Sequence, residues 1–98
     1  MKAKLTMGEK TYPVTIHKGL YHDGNVAVTA DWRGESFCTL SVNLPESKWL
    51  PKDAWYGKHW SENDGFLPQL MAQGIIEEVP ATPAASGFVD NIRAYRLK

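Results

Sequence analysis

One cysteine, no sustained apolar run and no surplus of either charge are what this 98-residue chain has little of. With Cys38 alone, no intramolecular disulfide forms. Small secreted domains are more often stapled, so a reducing cytoplasm is the expected compartment. No stretch approaches the length of a membrane-spanning helix. The N-terminal Met1-Lys-Ala-Lys-Leu-Thr-Met-Gly8 has the charge of a signal peptide without the apolar run that should follow it. The expectation is a cytosolic chain, complete from its first methionine and off the membrane. Eleven basic and eleven acidic residues cancel, six against five in residues 1–50 and five against six thereafter. Duplex-DNA binders draw much of their affinity from a basic surplus, so nucleic acid is disfavoured as a partner. The same neutrality argues against an acidic DNA mimic and a binder of anionic membranes.

Catalytic signatures are missing too. There is no nucleophile elbow, phosphate-cradling glycine loop or paired-carboxylate motif. Cys38 or a serine can be grouped on paper with a histidine and Asp23 or Asp31, but any chain of this length offers such triples. Glu77 and Glu78 are adjacent, so in a strand they face opposite ways and form no dyad. His17, His22, His59 and Cys38 match no compact ligand spacing, and Cys38 occupies the apolar phase of a strand. The expectation is a non-enzymatic protein with no catalytic residues, no metal and no cofactor.

What is present is enough for one modest core, hence a single domain over residues 1–98. Residues 2–7 and 11–18 read as two strands joined at Gly8-Glu9-Lys10. Asn25 to Trp32 places Val26, Val28, Ala30 and Trp32 on one face. Arg33-Gly34-Glu35 then turns the chain into Ser36 to Asn43, the clearest hairpin in the sequence. Pro45 and Pro51 bracket an extended connection, with a short irregular strand at 54–57. Ser61 or Asp64 is the expected cap of a helix reaching Gln73, with Phe66, Leu67, Leu70 and Met71 on its buried stripe and Gly74 as its stop. Ile75 to Val79 reads as a short strand or arm and Pro80 to Gly87 as a loop. Phe88 to Leu97 is the last strand, set against the central hairpin and interrupted by a bulge or turn at Asp90-Asn91. Together these predict an α+β domain: a twisted, mainly antiparallel sheet of five to six strands with one helix packed on it, or alternatively a small partly closed β-barrel with one helix. The first or last strand is a candidate edge for a homodimer, though neither looks adhesive, so monomer and homodimer both remain open.

The strongest local feature is aromatic. Three of the four tryptophans fall between Trp49 and Trp60, joined by Tyr56 and His59 and punctuated by Pro51 and Gly57. Trp and Tyr are enriched at interface centres, which makes Trp49, Trp55, Tyr56, Lys58, His59 and Trp60 the candidate partner-binding residues. The plainer reading, that the rings cover the open face of a thin sheet, weighs more heavily for the large rings. Lys58 and His59 keep the interface reading in play, since a structural plug does not need them. Stacking on single-stranded nucleic acid is the alternative, but Lys48, Lys52 and Lys58 make a thin basic groove.

The stretch Thr39-Leu-Ser-Val-Asn-Leu-Pro-Glu46, then Leu50-Pro51, the helix ending at Gly74, Ser86-Gly-Phe88 and Tyr95-Arg-Leu97 resembles a family of small uncharacterised proteins carried by conjugative elements and phages. The resemblance spans roughly residues 24–97 and departs from the family pattern between Ala54 and Gly65, where this chain has its tryptophan-rich segment. It carries over no catalytic residues. It implies an accessory protein of a phage or mobile element that binds a host protein in the bacterial cytoplasm, such as a component of a defence system.

Overall fold

The computed structural model describes residues 1–98. Eight strands form two open antiparallel sheets: β1 (Lys2–Met7), β2 (Lys10–Leu20), β3 (Val26–Trp32) and β4 (Glu35–Thr39) in the first, and β5 (Ser41–Val42), β6 (Trp55–Gly57), β7 (Ile76–Ser86) and β8 (Val89–Leu97) in the second. One helix, α1 (Phe66–Ala72), completes an α+β domain. The first sheet is a meander in sequence order, while the second runs β5-β6-β8-β7. The strands divide between two sheets because the chain changes sheet at Leu40. Its N–H still donates to Val28 O of the first sheet (2.8 Å), and the next residue, Ser41, already pairs with Gly57 of the second. Ser41 Oγ holds this corner by accepting the Val28 N–H (2.9 Å) and meeting the Tyr21 hydroxyl (2.7 Å).

The hairpins follow from their turns. Gly8 takes φ +64° between Met7 and Lys10, and Arg33 and Gly34 take φ 54° and 79° between Trp32 and Glu35, the left-handed pair that matches strand twist in a two-residue turn. The even-numbered residues Val14, Ile16, Val26, Val28 and Ala30, with Ala3, Leu5, Cys38 and Leu40, face inward. They pack against Trp55, Ile76 and Tyr95 of the second sheet and Phe66, Leu67 and Leu70 of α1. Tyr12 sits edge-on to Trp32 (5.2 Å, 89°) and contacts Phe37, which leads to Phe66; this aromatic chain closes one end of the core. A second, smaller cluster of Leu44, Ala54, Tyr56, Val79, Ala84, Ile92 and Ala94 covers the other face of the second sheet. Trp55 pairs with Tyr95 and Tyr56 with Ala94, so the period of two sends these adjacent rings to opposite clusters.

Several expectations are corrected. Residues 80–86 are not a loop. β7 runs through Pro80 and Pro83, which a sheet tolerates because β7 is an edge and its pairing with β8 is irregular between Val79 and Ala84. The last strand pairs with β6 and β7 rather than with the central hairpin, so it lies inside a sheet and offers no edge. Asn91, at φ 54°, stands where β8 loses regular register, as its sequence suggested. α1 starts after Gly65 (φ 85°) without a side-chain cap, because Ser61–Asn63 form a separate 3-10 turn. Met71 lies on the outer side of α1, with 36% exposure.

The outward edge of β1 is covered by α1. Gln69 accepts from Thr6 N–H (2.7 Å) and donates to Thr6 O (3.0 Å). One helical turn on, Gln73 accepts from Lys4 N–H (2.9 Å) and donates to Lys4 O (2.6 Å). The i, i+4 spacing aligns the two amides with alternate residues of a strand, so they stand in for a neighbouring strand's peptide groups.

Candidate functional site

The aromatic segment does not form one surface. Trp55 is 2% exposed and stacks at a tilt on Tyr95 with ring centres 5.6 Å apart, inside the main core. Tyr56 is 4% exposed on the opposite face. Trp55 is wholly a core ring, whereas Tyr56 is packed into the second cluster and shows only a small part of itself, at the cleft described below. Lys58 is anchored through its backbone N–H to Leu40 O (2.8 Å), and its ammonium pairs with Glu62 at 3.1 Å. The Ser61 hydroxyl, then Glu62's own N–H and Lys58, draw the Glu62 carboxyl down to about 2. His59 Nε2 meets Asp90 O at 3.1 Å; a carbonyl only accepts, so this nitrogen carries the proton. The His59 ring stands edge-on to Trp60 (5.3 Å, 83°), and Trp60 is itself partly buried against the second cluster. Both residues tie the segment after β6 to the β7–β8 hairpin.

Trp49 differs from the rest: 78% of it is exposed. It ends a 3-10 turn, Pro45–Trp49, whose geometry is set locally. Pro45 supplies the fixed φ of a first helical position. Ser47 is reciprocally bonded to Leu44, its Oγ accepting the Leu44 N–H (3.0 Å) and its own N–H donating to Leu44 O (2.9 Å). Leu44 and Leu50 pack into the second cluster and fix the turn to the sheet. Lys48 holds its ammonium 5.1 Å from the centre of the Trp49 ring.

Beside Trp49 lies a cleft of about 330 Å³. Glu46, Trp49, Pro51 and Tyr56 line it together with Pro80 and Pro83 of β7. The Tyr56 hydroxyl donates to Thr82 O (3.0 Å), pinning the proline-containing rim to the sheet. Burial pushes the Tyr56 hydroxyl pKa up, and the nearby Glu46 carboxylate adds to the effect. Glu46 has no ion-pair partner, unlike Glu62, Glu77 and Glu78, which pair with Lys58, Arg96 and Arg93. Sequence reasoning missed Glu46, Pro80 and Pro83 as cleft residues. The available signal was the Pro-x-x-Pro spacing at 80–83, but only tertiary pairing places it opposite Trp49.

The other chemistry-bearing side chains are dispersed. His17 and Asp31 pair at 3.1 Å on the open outer face of the first sheet, with no hydroxyl or thiol bonded to the histidine. Cys38 is buried, and desolvation pushes its thiol up to about 11. No three His, Cys, Asp or Glu side chains gather around a point that would hold a metal ion. A broad depression on the first sheet's outer side, lined by Lys2, Lys10, Tyr12, Trp32 and Arg33, carries mixed charge because Asp31 shares it. No helix is long and apolar enough to cross a membrane. No family model, curated protein or solved structure matches the chain.

Proposed function

We propose that this protein is a non-enzymatic protein-binding module whose contact surface is the cleft between Trp49 and the Pro80–Pro83 rim. The observation that carries this reading is the exposure of Trp49, 78% against 2% for Trp55 six residues later, at the mouth of a cleft. Covering that much indole supplies roughly 3–5 kcal/mol of gross driving force before the costs of association. Tryptophan at the centre of an interface is the residue type that most often dominates binding energy. Of the six residues that the sequence nominated, Trp49 becomes the anchor. Lys58, His59 and Trp60 belong to the adjoining segment, and Trp55 and Tyr56 serve as its foundation. The narrower role, an accessory protein of a phage or mobile element that modulates a host protein, rests on the motif resemblance. A single nucleic-acid strand stacked on Trp49 is the competing reading; Lys48 over the ring favours it, and Glu46 in the same cleft opposes it.

The test is affinity capture of the tagged protein from nuclease-treated and untreated bacterial lysate, alongside Trp49→Ala, with bound species identified by mass spectrometry. A discrete protein that survives nuclease and is lost with Trp49→Ala supports the assignment. Capture that disappears with nuclease moves the function to nucleic acid. A partner indifferent to Trp49→Ala removes the cleft from the interface.

A further inference from the structure

We infer that the occupant of the Trp49 cleft is a proline-rich segment in the polyproline II conformation that carries a basic residue beside its prolines. The inference rests on the protein-binding reading above and deepens it. Its first support is what the cleft rim cannot do. An extended peptide that added a strand to β7 would draw on the rim's backbone, where Pro80 and Pro83 offer no N–H and the Thr82 carbonyl already takes one bond from the Tyr56 hydroxyl, so the rim is a poor template for a strand. Side-chain shape is the main handle that such a rim offers. A polyproline II segment suits this, because its backbone needs no partner strand and its rings pack against flat aromatic and pyrrolidine surfaces. Trp49, Tyr56, Pro51, Pro80 and Pro83 supply such surfaces around one cleft of about 330 Å³.

The second support is charge. Glu46 lines the cleft as a carboxylate with no cationic partner, close enough to Tyr56 to help raise its hydroxyl pKa. An arginine or lysine next to the ligand's prolines would pair with it and fix the direction in which the segment lies. The cation already near Trp49, Lys48, takes only one side of the ring.

The experiment uses the full chain, ¹⁵N-labelled, titrated with the synthetic peptide acetyl-Arg-Pro-Pro-Leu-Pro-Pro-amide while amide and indole N–H shifts are followed. Two controls accompany it: the same peptide with glutamate in place of arginine, and a proline-free Thr/Val peptide of equal length. The expected result is saturable shifts confined to residues 46–51, Tyr56 and 81–84, weaker binding of the glutamate peptide and none of the Thr/Val peptide. Trp49→Ala should weaken binding about thirtyfold, the effect of truncating a hot-spot residue. Glu46→Gln should abolish the preference for arginine over glutamate while proline binding persists. Equal binding of all three peptides, or shifts centred elsewhere, overturns the inference. If no proline peptide binds while lysate capture still depends on Trp49, the proline class is wrong and the protein-binding module stands. If capture fails as well, both fall together.

Discussion

Replacing Gly57 with alanine tests the packing that joins the second sheet to the main core. A Cβ at this position would lie 2.6 Å from Leu67 Cδ1 and 2.7 and 2.8 Å from two ring carbons of Tyr95. Real Cβ contacts essentially never come that close, so something must move. The Leu67 methyl ends a flexible side chain and can rotate away. The Tyr95 ring cannot retreat easily, because it is buried, tilted against Trp55 at 5.6 Å, and carried on a strand paired on both sides. Overpacking of this kind costs about 1–3 kcal/mol, and two contacts with one rigid ring place Gly57→Ala in the upper half of that range. For a domain of this length, about 2–3 kcal/mol corresponds to a fall in Tm of roughly 10–20 °C. Urea unfolding followed by tryptophan fluorescence is the assay, with the midpoint expected to drop at unchanged slope. A cycle with neighbouring substitutions assigns the cause: the cost of Gly57→Ala should persist in a Leu67→Ala background and shrink in a Tyr95→Leu background. A loss below about 0.5 kcal/mol, typical of a surface change, would refute the reasoning, as would relief by Leu67→Ala alone.

Trp55→Ala should destabilise the fold by about 3–5 kcal/mol, as an emptied core tryptophan does, whereas Trp49→Ala should stay within about 0.5 kcal/mol; the same urea curves separate the two. Cys38 should resist a thiol reagent at pH 8 until the protein is unfolded, since burial holds the proton on sulfur. The folded thiol titrates near 11 against a reference of 9.0, so its contribution to stability is complete below pH 9 and is lost as pH rises towards 11. Cys38→Ala should remove that part of the alkaline slope. Gln69→Ala combined with Gln73→Ala removes four hydrogen bonds from the β1 edge. The expected loss is about 1–3 kcal/mol, partly recovered through water, with concentration-dependent self-association visible by sedimentation; a strictly monomeric, fully stable variant would show that the clamp is idle.

The hairpins of the first sheet were legible because their signals are local: period-two alternation on both sides of Gly8 and of Arg33-Gly34. The short strand around Trp55 and the helix stop at Gly74 were legible for similar reasons. Pairing partners were not. Nothing near Phe88–Leu97 says that this strand enters between β6 and β7, and proline composition around Pro80 and Pro83 imitates a loop when the residues sit on a sheet edge. The aromatic segment was recognised as a place but not as two layers. Reading Trp55 and Tyr56 as consecutive residues of a strand sends one ring to each face, and leaves Trp49, on its proline-started turn, as the most exposed ring of that segment. Glu46 became meaningful only when the fold brought Tyr56 and the β7 rim beside it.

The amide clamp on β1 has a consequence for how this lineage can change. Glutamine works there because one planar group both donates and accepts, as a peptide bond does. Glutamate is a single nucleotide away in the genetic code and retains only the acceptors. Facing Thr6 O or Lys4 O, it would set oxygen against oxygen and release part of an edge now bonded to α1. The mutational distance between a closed edge and one able to recruit a second chain is thus one base at codon 69 or 73. A change from glutamine to glutamate at either position is the smallest step that uncovers part of the β1 edge.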